Sequence, residues 1–140
     1  MMAGGACTAH ELDQLLTDVA FTRQLGLRVR DVSAGQCTLE VPFQEAFERP
    51  GAVVSGQVFM AAADVAMWLA IKTCLGLLDT SVTSQMTTSF LAPARKGGFL
   101  CTARILKLGR RLICGVVECV DDAGTLLTHH TITYVRNPQV

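Results

Sequence analysis

Residues 55–78 form a run of hydrophobic positions with almost no polar face, SGQVFMAAADVAMWLAIKTCLGLL. A helix at the surface of a globular protein shows one polar face, so a helix without one is predicted to be buried. Ser55 suits the residue before such a helix, and Gly76 suits its end. A helix over residues 56–75 would be about 30 Å long. The rest of the chain is therefore predicted to fold around it.

The segments before this helix change from a helical period to a period of two. Thr8 and Glu11 form the capping-box pattern that starts a helix, and Gly26 marks its break. Residues 27–41 then alternate apolar and polar positions on both sides of Gly35, which predicts a β-hairpin.

After the helix the β pattern continues to the end, in a predicted meander of four strands: residues 81–92, 99–108, 110–120 and 125–135. An antiparallel sheet with its helices on one face is an α+β plan. A sheet that curves around the helix would hide both of the helix's flanks. We predict one domain, with a helical segment over residues 1–24 and a core over residues 25–136.

Composition narrows the function classes. Half of the residues are hydrophobic and only 17% are charged, which favours an oligomer. Lys plus Arg equals Asp plus Glu at 12 each, so no basic field predicts nucleic acid as a partner. The six cysteines form no metal-ligand pair, and the adjacent His129 and His130 of a strand point to opposite faces. We expect reduced thiols and no metal site.

Two observations bear on localisation. The uncharged apolar runs of the long helix, residues 58–63 and 65–71, are shorter than the ~18–20 residues of a membrane span. The first residues lack the basic and apolar regions of a secretory signal. We expect a soluble, cytoplasmic protein without a membrane partner.

Asp64 is the one acid inside the apolar helix. A carboxylate in such a helix costs free energy unless a partner pairs with it or a reaction uses it. Either Asp64 is a functional group, or it is hydrogen-bonded to Ser or Thr hydroxyls and has no chemical role.

The order of elements and several short motifs resemble the hotdog fold, and in particular the phenylacetic-acid-degradation (PaaI-like) acyl-CoA thioesterases. The motifs span most of the chain: Pro50-Gly51, Gly56, Asp64-Val65-Ala66, Ser89-Phe90-Leu91-Ala92-Pro93-Ala94, Leu108-Gly109-Arg110-Arg111 and Asp122-Ala123-Gly124. The family opens its central helix with His-Gly-Gly. Here Ser55-Gly56-Gln57 takes that place, closer to a branch that carries Ser-Gly-Pro.

The resemblance implies thioester hydrolysis. Asp64 would act as general base or nucleophile, and the backbone N–H groups of Gly56 and Gln57 would form the oxyanion hole, where a helix N-terminus favours negative charge. It implies no cofactor beyond the coenzyme A of an acyl-CoA substrate, and a homodimer or homotetramer. Two alternatives remain: a non-catalytic acyl-CoA or acyl-ligand binding protein, and a dehydratase, which the lack of a histidine near the helix disfavours.

Helix geometry separates the two catalytic parts. Asp64 lies eight residues beyond Gly56, or ~12 Å along one helix axis. One chain therefore cannot bring both to the same carbonyl carbon. If both act, they come from different subunits of a two-fold dimer, with two equivalent sites at its interface.

The remaining candidates are substrate contacts. Ser55 borders the predicted oxyanion hole, and a cap role is favoured over a nucleophile because no His–acid pair surrounds it. The Gln57 amide either donates to the substrate carbonyl or lies at the surface. Three residues share one strand face and either line the partner's site or form the polar face of an edge strand: Gln85, Thr87 and Ser89. A basic cluster at the turns either meets the coenzyme A phosphates or is solvated: Arg95, Lys96, Lys107, Arg110 and Arg111.

Overall fold

The computed structural model describes residues 6–95 and 97–137. Its helices are α1 (Ala9–Asp18), α2 (Ala20–Leu25) and α3 (Gly56–Leu75). Its strands are β1 (Arg28–Ser33), β2 (Gln36–Val41), β3 (Glu48–Arg49), β4 (Val53–Val54), β5 (Val82–Phe90), β6 (Phe99–Leu108), β7 (Leu112–Val120) and β8 (Leu126–Val135), with a 3-10 turn at Glu45–Phe47.

The N-terminal helix begins with the predicted capping box. The Glu11 N–H donates to Thr8 Oγ1 at 3.1 Å, and the Thr8 N–H donates to Glu11 Oε1 at 2.8 Å. The prediction of one helix up to Gly26 is wrong, because Val19 is extended and separates α1 from α2. Leu12 and Leu16 are buried and fix α1 to the core.

The six long strands form one antiparallel sheet in the order β1-β2-β6-β7-β8-β5. The predicted α+β architecture and the β1–β2 hairpin are confirmed. The predicted meander of four strands is wrong, because β5 pairs with β8 at the far edge and only β6, β7 and β8 follow one another. Directly after β5, the N–H groups of Leu91 and Ala92 donate to the Leu127 carbonyl oxygen.

Helix α3 packs against β2, β6 and β7 at close range. The side chain of Met67 lies directly over Gly115 of β7, where there is no Cβ. A Cβ at Gly115 would also lie 2.6 Å from the Arg104 carbonyl oxygen of the neighbouring strand. Gly115 therefore sets how near the helix approaches the sheet.

One side of α3 stays uncovered by the sheet, contrary to the expectation that both flanks are hidden. We call it the open stripe; at helical spacing it comprises Gln57, Met60, Ala61, Asp64 and Trp68, all exposed or half-buried. The length and hydropathy of α3 alone would suit a membrane span, but 61% of that span is buried inside the protein. The helix is thus the core helix of the fold with one face left open.

We expect Gly115→Ala to lower the free energy of unfolding by about 1–3 kcal/mol, because the added methyl forces Met67 and the β6 backbone apart. Denaturant unfolding followed by circular dichroism measures this. Gly97→Ala is the matched control, since its nearest neighbour would be 3.9 Å away. Equal stability of the two variants would show that the helix–sheet distance does not depend on Gly115.

Candidate active site

Asp64 lies in the third turn of α3, half-buried on the open stripe. Its Oδ1 accepts two hydrogen bonds, from the Tyr134 hydroxyl at 2.8 Å and from Thr83 Oγ1 at 2.7 Å. The Tyr134 hydroxyl also lies 3.0 Å from the Asp64 backbone carbonyl oxygen. Within the described residues no hydrogen bond reaches Oδ2. One carboxylate oxygen is therefore fixed, and the other is available.

Thr83 reaches Asp64 because of a β-bulge. Simple alternation would place Thr83 on the same face of β5 as Gln85. The register shifts between these two residues, so Thr83 is paired with Tyr134 while Gln85 is paired with Thr133. The extra residue, Ser84, turns Thr83 to the helix side of the sheet. The alternating pattern of the sequence therefore does not predict that Thr83 contacts Asp64.

Tyr134 comes from the end of β8 and is 3% exposed. Burial raises the pKa of its phenol above the ordinary range, and the nearby charge of Asp64 raises that pKa further. Tyr134 therefore stays a neutral hydrogen-bond donor. The sequence does not single out Tyr134 as a partner of Asp64, because a single tyrosine in a strand resembles any other core aromatic.

The start of α3 borders a cleft of about 380 Å³. Its wall is mainly apolar and comes from the β3–β4 region, the start of α3 and the segment after β5: Arg49, Val53, Val54, Gly56, Phe59, Phe90, Leu91, Ala92, Pro93, Ala94 and Thr128. A Cβ at Gly56 would lie 3.0 Å from the Phe90 ring. In the first turn of α3 the Val58 N–H donates to the Ser55 carbonyl oxygen at 3.0 Å, whereas the N–H groups of Gly56 and Gln57 have no intrahelical partner. Gly56, which lines the cleft, therefore brings a backbone donor to its end.

The cleft and the Asp64 carboxylate lie at different levels of the N-terminal half of α3. Gly56 is the first helical residue and Asp64 follows eight positions later, which corresponds to ~12 Å of helix. The open stripe joins the two. The geometry provides a helix N-terminus and a fixed carboxylate that do not face each other within one protomer.

A buried polar network lies behind the cleft wall. His130 is fully buried, with Nδ1 2.8 Å from Thr88 Oγ1 and Nε2 2.8 Å from Thr128 Oγ1. His129 instead lies on the outer face, its Nε2 4.0 Å from a carboxylate oxygen of Glu118. The prediction that the two histidines point to opposite faces is confirmed.

Comparisons with known proteins agree with this architecture. Residues 51–128 match the sequence profile of the thioesterase superfamily. The chain belongs to the thioesterase superfamily. It is 32% identical over 102 residues to SSO2140 of Saccharolobus solfataricus, a protein that carries an esterase name, and the match covers 73% of this chain and 72% of that one.

Two solved structures show the fold that this superfamily member shares. The Haemophilus influenzae thioesterase HI1161 superposes with a TM-score of 0.86 at 22% identity, covering 96% of this chain and 94% of that one. The Escherichia coli PaaI protein of the phenylacetic acid degradation operon superposes with a TM-score of 0.83 at 18% identity, covering 94% and 96%. The resemblance to hotdog thioesterases is confirmed.

The opening of α3 differs in one detail from the prediction. Ser55 occupies the N-cap position, but its side chain makes no capping hydrogen bond. Its hydroxyl donates instead to the side-chain oxygen of Gln57. Gln57 is exposed on the open stripe, and Gly56 lines the cleft.

Gln85, Thr87 and Ser89 share one face of β5, but it is the outer face of the sheet. Their partners on β8 are Thr133, Thr131 and His129, whereas the inward Met86 and Thr88 pair with Ile132 and His130. All three predicted contacts therefore point away from Asp64 of their own protomer. A role at a partner's site stays a prediction.

The predicted basic cluster does not assemble in one protomer. Arg95 lies at the cleft end, where its Nη1 is 3.4 Å from the Gly51 carbonyl oxygen. Arg110 and Arg111 lie in the β6–β7 turn at the opposite end of the sheet, and Lys96 falls outside the described residues. Arg49, which is not among the candidates predicted from the sequence, lines the cleft.

Tyr134 is the only tyrosine in the sequence, so its ionisation is observable directly by ultraviolet absorbance. We expect no tyrosinate signal from the folded protein at pH values near 10.0, the ordinary pKa of the group. A raised pKa in the folded state contributes stability below the unfolded pKa, and that contribution is lost as pH rises beyond it. Asp64→Asn should bring the pKa of Tyr134 down. A folded protein that titrates normally would contradict the buried contact.

Proposed function

We propose that this protein hydrolyses acyl-CoA thioesters. The observation that supports this most directly is the Asp64 carboxylate, fixed through Oδ1 by two hydroxyl donors and open at Oδ2 on the uncovered face of α3. A carboxylate held in one orientation with a free oxygen suits a general base or a nucleophile.

The proposed reaction needs Asp64 from one subunit and the start of α3 from the other. Oδ2 of Asp64 either takes a proton from the attacking water or attacks the thioester carbon itself. The carbonyl oxygen becomes an oxyanion that accepts hydrogen bonds from the backbone N–H groups of Gly56 and Gln57 in the partner subunit. Collapse of the tetrahedral intermediate breaks the C–S bond, and the coenzyme A sulfur leaves and takes a proton. In the nucleophilic route, water then hydrolyses the acyl–Asp64 anhydride.

The cleft supports an acyl substrate carried by an anionic group. Its wall is apolar around Phe59 and Phe90, which suits an acyl or aryl group. Arg49 is the cation in that wall and, within the described residues, has no ion pair. We propose that Arg49 and Arg95 meet the phosphates of coenzyme A at this end of the sheet.

We also propose a homodimer, in which the open stripe and the edge strand β5 meet the same surface of a partner. The open stripe exposes Met60, and the neighbouring edge strand β5 exposes Phe90 and leaves backbone groups unpaired on one side. An apolar helix face beside an open strand edge suits a two-fold partner with the same surface.

The first test follows free thiol release from a panel of short, medium and aryl acyl-CoAs. We expect Asp64→Asn and Asp64→Ala to lower kcat by ~10²- to 10⁴-fold, because the general base or nucleophile is lost. Asp122→Asn, an exposed turn acid, is the matched control and should keep its activity. Release that survives both Asp64 substitutions would refute the mechanism. Binding without release would favour a non-catalytic acyl-CoA protein. The Ser55-Gly56-Gln57 opening of α3, which replaces the family's His-Gly-Gly, favours that alternative.

The second test removes one oxyanion donor. Gly56 is the first residue of α3, a position where proline is compatible with a helix but lacks the N–H. Gly56→Pro should lower kcat by ~10²- to 10³-fold. Gly56→Ala is the matched control, since it adds a similar carbon beside Phe90 but keeps the donor. Equal losses in both variants would assign the effect to crowding.

If each site is shared between two subunits, the Asp64→Asn and Gly56→Pro variants should complement each other. Refolded together in equal amounts, the Asp64→Asn and Gly56→Pro chains form mixed dimers that contain one intact site. We expect about 25% of wild-type activity from random pairing in a two-fold dimer. No recovery despite mixed dimers, or activity from a stable monomer, would contradict a site that is shared between subunits.

A further inference from the structure

Tyr134 contacts Asp64 at two points, and no other described side chain does so. Its hydroxyl lies 2.8 Å from Oδ1 and 3.0 Å from the backbone carbonyl oxygen of the same residue. One phenolic group therefore ties the Asp64 side chain to the Asp64 backbone. The contact crosses from the last strand of the sheet to the middle of α3, 70 residues apart in sequence.

The two hydroxyl donors on Oδ1 differ in rigidity. Thr83 lies on the edge strand at a β-bulge and is exposed, so its position depends on the least covered strand of the sheet. Tyr134 lies on β8, paired on one side with Ile113 of β7 and on the other with Thr83 of β5. Its ring is buried, and a tyrosine has only two side-chain torsions, so little freedom remains to lose. Tyr134 is the rigid donor of the pair.

We propose that Tyr134 is a positioning residue that holds Oδ1 of Asp64 and thereby presents Oδ2 to the substrate. This inference rests on the proposed thioesterase function. A carboxylate that rotates about its last torsion exchanges its two oxygens, and a donor fixed to one oxygen stops that exchange.

The role requires a neutral phenol. An ionised Tyr134 would place a second negative charge against Asp64 and would have no proton to donate. Burial and the Asp64 charge both disfavour ionisation, so the donor persists throughout the range in which thioesterases are assayed.

The test compares Tyr134→Phe with Thr133→Val. The first removes the hydroxyl and keeps the ring; the second removes the neighbouring hydroxyl, which points to the outer face of the same strand. For Tyr134→Phe we expect kcat to fall by ~10- to 100-fold at nearly unchanged KM. Thr133→Val should leave both unchanged.

A second variant distinguishes loss of the hydroxyl from misfolding of the protein. Because the sequence has one tyrosine, 3-fluorotyrosine supplied during expression labels position 134 alone and leaves the ring and hydroxyl in place. Because it keeps the hydroxyl donor, this protein should retain the kcat of the wild type, unlike Tyr134→Phe.

The outcomes are separable. If the wild type and Thr133→Val release thiol and Tyr134→Phe matches them in kcat and KM, the positioning role is overturned and the thioesterase proposal stands. If the wild type releases no thiol from any acyl-CoA, both fall together. A lower kcat at nearly unchanged KM in Tyr134→Phe, together with wild-type kcat in the fluorotyrosine protein, supports the positioning role.

Discussion

The structure depends on the burial of one apolar helix by one antiparallel sheet. Helix α3 buries Ala, Leu, Ile and Met side chains against β2, β6 and β7, and Gly115 lets Met67 lie against the strand backbone. Removal of that much apolar surface from water is the dominant favourable contribution in a domain of this size. The sheet covers the helix on most sides and leaves the open stripe. That remaining face carries Asp64.

Two hydroxyl donors offset the free-energy cost of a carboxylate in the core helix. Oδ1 receives two hydroxyl hydrogen bonds, and neither donor carries a charge that would neutralise the carboxylate. A purely structural acid would be expected to have both oxygens satisfied. Asp64 has one oxygen satisfied and lies on the open stripe, which is why we assign it a chemical rather than a structural role. The alternative, a carboxylate that is hydrogen-bonded to hydroxyl groups and has no chemical role, agrees with the contacts of Oδ1 but not with those of Oδ2.

The candidate site was predicted in part. Apolar periodicity and local capping rules predicted the bounds of α3, the N-cap position of Ser55 and an acid inside the apolar helix, because these features depend on neighbours in the chain. The faces of β5 were predicted by alternation, and alternation fails at the bulge. Thr83 therefore turns inward, while Gln85, Thr87 and Ser89 lie on the outer face. The basic residues appeared to form one group in the sequence, but Arg95 and Arg110 lie at opposite ends of the sheet.

The sequence by itself determined the long buried helix, the strand count of the sheet, the resemblance to hotdog thioesterases and the ~12 Å between Gly56 and Asp64, since helix geometry alone gives that distance. The tertiary structure decided which strands are neighbours, which residues face inward across the bulge, and that Tyr134 lies against Asp64. Local pattern specifies local conformation, whereas strand order and cross-strand register depend on contacts between residues far apart in the chain. The Asp64–Tyr134 hydrogen bond spans 70 residues, and no local signal predicts it.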